Sequence, residues 1–163
     1  MVDLGTLGGT ESHAYGVNRW GFVVGDSRIG DGTTLHAFAW SESMGMVDLH
    51  GPGDGAPSRA NAINDNDQIV GSFSVDSYAR AFSRMPGGPL VHLGTLSGPD
   101  STALAVSNAG HIVGPAAYYK PPPMLWWETH AAIWSGPWDD LVVNFGTAGI
   151  WMKRQAIWQQ SRR

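Results

Sequence analysis

The chain repeats one stretch of sequence three times. VDLGTLGGTESHAYGVNRWGFVVGDS returns as VDLHGPGDGAPSRANAINDNDQIVGSFS and again as VHLGTLSGPDSTALAVSNAGHIVGPAA. Three residue types mark the units at intervals of 43 to 46 residues: Leu4, Leu49 and Leu93; Asn18, Asn64 and Asn108; Gly25, Gly71 and Gly114. A fixed period of this length is typical of repeat architectures, in which each unit buries its apolar faces against its neighbours.

Each unit has the pattern of short strands joined by tight turns. The asparagine favours a turn, and the left-handed position after it is occupied by Gly21, Asp67 and Gly110. FVVG, QIVG and HIVG are β-branched runs, HAFAW alternates small and aromatic residues, and GMVDLH supplies a short fourth strand. The sequence therefore predicts an all-β protein with propeller-like, four-stranded blades of about 45 residues. A β-trefoil, which also has three four-stranded units, is the alternative.

The repeat also predicts the domain organisation. Units at about 1–45, 46–89 and 90–134 form a three-repeat β domain, with an insertion at 115–129 in the third unit. Residues 135–163 are interpreted as a degenerate fourth unit or a cap. Because propellers typically close with about 4–8 blades, a homodimer could complete the ring.

Together, the motifs DLGTLGG, Ser-x-Ala, Asn-x-x-Gly-x-Val-Val-Gly and HAFAW resemble the HAF family of extracellular repeat proteins. The family is named for a His-Ala-Phe triplet, which is His36, Ala37 and Phe38 in this chain. The resemblance covers about residues 1–115 and returns at 130–134. It implies a repeat architecture and an extracellular or cell-surface location, and it carries no catalytic residues across. The chain as given shows no signal peptide, since Met1 leads directly into the first unit.

Composition narrows the classes of partner. Charged residues make up 15% of the chain and the net charge is −4, so there is no basic surface of the kind that binds nucleic acid. No apolar run approaches the length of a membrane span. The absence of cysteine excludes disulfides and thiolate metal sites.

An aromatic segment in the third unit is the first candidate binding site. Its aromatic residues flank three consecutive prolines: Tyr118, Tyr119, Trp126 and Trp127. Exposed rings of this kind bind sugars or partner proteins, because they supply contact area at low entropic cost. Alternatively, the rings fold back and cover an open sheet edge.

A second candidate set occupies equivalent positions in the three units: His36, Arg80 and His130. These side chains could converge on an anion or a metal. Because arginine cannot ligate a metal, local packing at strand starts is favoured. The repeated asparagines could line a channel, although their turn setting explains them. The NDND run at 64–67 lacks the glycine and distal glutamate of a calcium loop. No metal site is predicted.

Two functions remain as hypotheses. The first is a non-catalytic, extracellular-type module that binds a surface glycan or a protein partner. The alternative is a metal-dependent hydrolase of lactonase or esterase type, with its site in a propeller channel and calcium as a cofactor only in that case. The sequence contains no catalytic motif. The pair His13 and Asp26 requires geometry before it can be interpreted.

Overall fold

The protein is all-β. A computed structural model describes residues 1–49, 55–120, 127–135 and 142–144. Within these ranges there is no helix, and therefore none that could cross a membrane. The described strands are β1 (Gly8–Val17), β2 (Val23–Ile29), β3 (Leu35–Ser41), β4 (Gly45–Asp48), β5 (Ser58–Ile63), β6 (Ile69–Val75), β7 (Tyr78–Arg84), β8 (Leu90–His92), β9 (Ala105–Val106), β10 (Ile112–Tyr119), β11 (Trp127–Trp134) and β12 (Val142–Asn144).

The strands form three antiparallel sheets of four strands each. The first sheet contains β1 to β4, the second β5 to β8 and the third β9 to β12, and in every sheet the strands are adjacent in chain order. The all-β prediction is confirmed. In the third sheet, β12 pairs with β11, so residues 142–144 provide the fourth strand. The remainder of the predicted fourth unit or cap lies outside the described residues, except Ser135.

The turn between the first and second strands has the same geometry in all three sheets. The residue at the left-handed position is Gly21, Asp67 or Gly110, with φ of 82°, 59° and 84° respectively. In each case its N–H donates to the carbonyl three residues earlier, which belongs to Asn18, Asn64 and Ser107. The third member of the series is therefore Ser107 and not Asn108, because the third turn is shifted by one residue relative to the asparagine alignment.

A close backbone approach explains the glycine that follows each apolar pair. A Cβ atom on Gly25, Gly71 or Gly114 would lie 1.9 Å from a backbone carbonyl oxygen, that of His13 in β1, of Arg59 in β5 and of Thr102 just before β9 respectively. No other residue type fits at that distance. Each glycine also lies opposite the same position of the third strand, occupied by Phe38, Phe82 and Ala132.

The sheets pack one after another through two apolar seams. The seam between the first and second sheets buries Val24, Ala37 and Ala39 against Ala60 and Phe82. The seam between the second and third sheets buries Val70 and Ala81 against Ala103, Ile112 and Trp134. In both seams the first strand of the later sheet packs against the earlier sheet, as the contacts of β5 and β9 show.

The predicted insertion forms part of a regular hairpin. Residues 115–119 belong to β10 and residues 127–129 belong to β11, and the two strands pair from Ile112–Trp134 to Tyr119–Trp127. The extra length is therefore in the connection between these strands. Residues 121–126 of this connection, with Trp126, lie outside the described residues.

Candidate binding site

A buried carboxylate at the first seam holds three exposed side chains in place. Asp26 on β2 has a side chain that is 0% exposed. Its Oδ1 lies 3.0 Å from Nδ1 of His13, and its Oδ2 accepts hydrogen bonds from Nε of Arg59 at 2.6 Å and from the hydroxyl of Tyr15 at 3.3 Å. The side chains of His13 and Arg59 are 51% and 48% exposed, and Tyr15 is 44% exposed. We call these four residues the seam cluster.

Strand pairing brings the cluster together. His13 and Asp26 are direct partners across β1 and β2. Tyr15 lies two residues beyond His13 on the same strand, and its ring stacks on the imidazole with a centroid separation of 6.3 Å. Arg59 comes from β5 of the next sheet, and its guanidinium carbon lies 5.0 Å from the centroid of the Tyr15 ring. The cluster is therefore completed by the packing of the second sheet against the first, which brings Arg59 to Asp26 and Tyr15.

The groups that the cluster leaves exposed can hydrogen-bond to a polar ligand, and Arg59 can pair with a carboxylate or sulfate. Burial, followed by the negative charge of Asp26, raises the pKa of the Tyr15 hydroxyl, so the phenol stays neutral. With the carboxylate as acceptor, His13 donates from Nδ1, and its Nε2 remains for a ligand. Arg59 uses Nε for Asp26, so its terminal nitrogens can donate to a ligand as a pair. A cavity of about 150 Å³ opens beside Asp26, Arg59, Ser58 and Ser72.

A second polar cluster joins the turns of all three sheets around Asp65. One carboxylate oxygen of Asp65 accepts from the backbone N–H of Arg19 at 3.0 Å, and the other accepts from Nδ2 of Asn108 at 2.9 Å. These hydrogen bonds, that of Arg19 first, lower the pKa of Asp65. Asn18 and Asn64 each donate to a carbonyl of the following turn, on Asn64 and Ser107. The bonds explain the asparagines as links between sheets.

The aromatic candidates of the third sheet lie on two faces of one hairpin. Tyr119 and Trp127 are direct partners across β10 and β11, and they are 38% and 53% exposed. Tyr118 lies on the other face, where its ring stacks on His130 with a centroid separation of 5.3 Å. Successive residues of a strand point to opposite faces, so Tyr118 and Tyr119 lie on opposite faces of the hairpin. Trp126 lies outside the described residues.

The candidates His36, Arg80 and His130 occupy matching positions on β3, β7 and β11. Each lies two residues before the strand partner of the repeated glycine. His36 is buried, and its Nδ1 lies 2.7 Å from Oδ2 of Asp48 in the same sheet. His130 lies 3.3 Å from Glu128 of its own strand. These two contacts, His36 with Asp48 and His130 with Glu128, each lie within one sheet. Across the described part of the chain, no three His, Cys, Asp or Glu side chains are grouped as a metal site would require.

Sequence reasoning missed Tyr15 and Arg59 as functional candidates. A signal was present, because the Ser-x-Ala motif places His13, Arg59 and Thr102 at one repeat position. Two cationic or titratable residues at that position in adjacent units indicate a polar site at their shared seam. The contribution of Asp26 follows only from the strand register.

Comparison of the chain with known protein families, curated proteins and solved structures finds no match.

Proposed function

We propose that this protein is a non-catalytic module that binds a surface glycan carrying carboxylate or sulfate groups, and that the seam cluster is its binding site. The observation that carries the proposal is the full burial of Asp26 beneath three half-exposed side chains. A carboxylate removed from water is costly unless it is well paired. Here that cost is offset by contacts that fix the orientation of His13, Tyr15 and Arg59.

Preorganisation is what makes this surface suited to binding. A mobile arginine or histidine loses about 0.5–1.5 kcal/mol of side-chain entropy when a ligand immobilises it. In the seam cluster, the contacts with Asp26 have already restricted both side chains. Arg59 can then donate two parallel hydrogen bonds to a carboxylate or sulfate, and the exposed Tyr15 ring offers an apolar surface to a sugar.

The architecture supports this proposal at the level of the fold. We infer that the three sheets are blades of a propeller-like arrangement and that the HAF-type repeat resemblance reflects a shared architecture. Supporting facts are the consecutive four-stranded sheets, the repeated turn geometry and the matching seams. An extracellular or cell-surface location, where such glycans occur, is part of the same proposal.

The test is retention on immobilised polygalacturonate, a polymer with one carboxylate per sugar, compared with the neutral glucan pullulan. The intact chain should be retained on the acidic polymer only. Arg59→Gln should lose retention, while Lys120→Gln should keep it, because Lys120 pairs with Glu128 at the distant end of the third sheet. Equal retention of the two variants would contradict a site at the first seam.

The His13–Asp26 pair supports a second candidate, a lactone or ester hydrolase. A carboxylate that holds Nδ1 of a histidine leaves Nε2 as a general base. In that case His13→Gln should abolish turnover of a lactone or ester, whereas Tyr15→Phe should retain it. A metal requirement would appear as loss of turnover on chelation.

A further inference from the structure

The third sheet exposes a face that the other two sheets bury. The residue before the repeated glycine is Val24 in the first sheet and Val70 in the second, and both are 0% exposed. The corresponding Val113 is 42% exposed. Likewise, Ala37 and Ala81 are 1% and 0% exposed, and the corresponding Ala131 is exposed. We call this surface of β10 and β11 the trailing face; it also carries Tyr119, Trp127 and Thr129.

The first sheet shows the complementary difference. In both seams, the alanine of the Ser-x-Ala motif on the later sheet packs against the earlier sheet, and Ala60 and Ala103 are both 0% exposed. The corresponding Ala14 on β1 is exposed. Among the described residues there is therefore one uncovered surface of each kind. We call the surface of β1 around Ala14 the leading face.

A specific hydrogen bond accompanies each of the two seams. The backbone N–H of Ala37 donates to Oγ of Ser58 at 2.9 Å, and that of Ala81 donates to Oγ of Ser101 at 3.0 Å. By repeat position, the next donor is Ala131 and the remaining acceptor is Ser12.

Ser12 is already oriented for this bond. Its hydroxyl donates to the carbonyl of Gly5 at 2.8 Å, as the hydroxyl of Ser101 donates to Gly94 at 2.9 Å. In Ser101, the same oxygen simultaneously accepts the N–H of Ala81. The first sheet thus presents the acceptor arrangement that the second seam uses.

We propose that the trailing face of one copy of this chain binds the leading face of a second copy, with the N–H of Ala131 donating to Oγ of Ser12. The argument for a second copy is that the chain itself shows which surface covers this kind of face: the Ser-x-Ala segment at the start of the next unit. The trailing face also lacks charge among its described residues, as an interface core requires. Two copies joined at both ends would close a ring of six sheets, because a head-to-tail contact ends in a ring when its rotation closes.

Cysteine cross-linking tests the contact directly, because the chain has no cysteine of its own. Chains carrying Ser12→Cys are mixed with chains carrying Ala131→Cys under mild oxidation. A covalent dimer that forms in the mixture, and in neither variant alone, is the expected result. The double variant Ala37→Cys with Ser58→Cys is the matched control, since it places cysteines at the corresponding positions of the first seam and should cross-link within one chain.

Light scattering on the eluting peak supplies the second measurement. The intact chain should have twice the 17.4 kDa mass of one chain. Ala131→Arg should halve that mass, whereas Met44→Arg, an equal change at an exposed apolar residue of the β3–β4 turn, should leave it unchanged. A monomeric intact chain overturns the proposal. Cross-linking of Ala131→Cys chains only with themselves also overturns it, because the contact would then join two trailing faces.

Discussion

Replacing Asp26 by asparagine is the sharpest perturbation of the seam cluster. The change removes a charge and about half of the acceptor capacity at a position with no exposed surface. Three donors depend on the carboxylate: the imidazole of His13, the guanidinium of Arg59 and the hydroxyl of Tyr15. The amide nitrogen of asparagine would itself be a donor and would face one of these groups.

The expected loss of stability in Asp26→Asn follows from two opposing contributions. A hydrogen bond to a charged group contributes about 1.5–3 kcal/mol to the free energy of unfolding, and a neutral one about 1 kcal/mol. Against this loss, asparagine avoids burying a carboxylate, which costs several kcal/mol. Moreover, His13 and Arg59 are half exposed and can regain hydration. A net loss of about 2 kcal/mol is expected, which lowers Tm by about 4–8 °C for a domain of this size.

Differential scanning calorimetry measures this loss, with Glu42→Gln as the control. The control makes the same chemical change at an exposed residue of the β3–β4 turn and should alter stability by less than about 0.5 kcal/mol. The reasoning is refuted when the Asp26 and Glu42 variants melt at the same temperature, because a buried acceptor of three hydrogen bonds cannot be replaced without cost.

Three further predictions test separate parts of the structure. Gly71→Ala should destabilise the protein by about 3 kcal/mol in urea unfolding, the upper part of the usual cost of overpacking of about 1–3 kcal/mol, since its Cβ would lie 1.9 Å from the Arg59 carbonyl oxygen. Wild-type stability would contradict the strand register. The Tyr15 hydroxyl should ionise above the usual value of about 10 in an ultraviolet titration, and Asp26→Asn should lower its pKa; an unchanged titration in that variant would contradict the contact. The pKa of Asp65 is lowered in the folded chain, so its hydrogen bonds stabilise the turns fully above the unfolded pKa of about 3.9, and this stabilisation is lost as the pH falls through the folded pKa. The side-chain amide signals of Asn108 in NMR spectra should therefore shift only in that acidic range. A shift centred at or above the unfolded pKa would contradict the lowered value.

The fold was predictable where local physics decides it. A glycine after each β-branched pair, together with a left-handed turn residue, is sufficient to predict paired short strands. The third turn shows the limit of this reasoning. Both Asn108 and Ser107 can start a turn, and only the hydrogen bond from Gly110 to the carbonyl of Ser107 distinguishes them. Asn108, one residue after Ser107, instead donates a hydrogen bond to Asp65 of the neighbouring turn.

The candidate site was less predictable because its contacts are long-range. Asp26 and Arg59 are separated by 33 residues, and no local pattern fixes how the first two sheets pack. The aromatic segment illustrates a second reason. Tyr118 and Tyr119 are adjacent in sequence, but strand alternation places them on opposite faces once β10 is known to extend through both. A sequence cluster therefore need not be a spatial cluster.

The most direct measurement of the proposed function is an NMR titration of the isotope-labelled chain with an oligogalacturonate. The account predicts that the amide signals of Tyr15, Asp26 and Arg59 shift in a saturable manner. A neutral oligosaccharide of the same length should leave them unmoved. Shifts confined to Tyr119 and Trp127, or no saturable shift at all, would contradict a glycan site at the first seam.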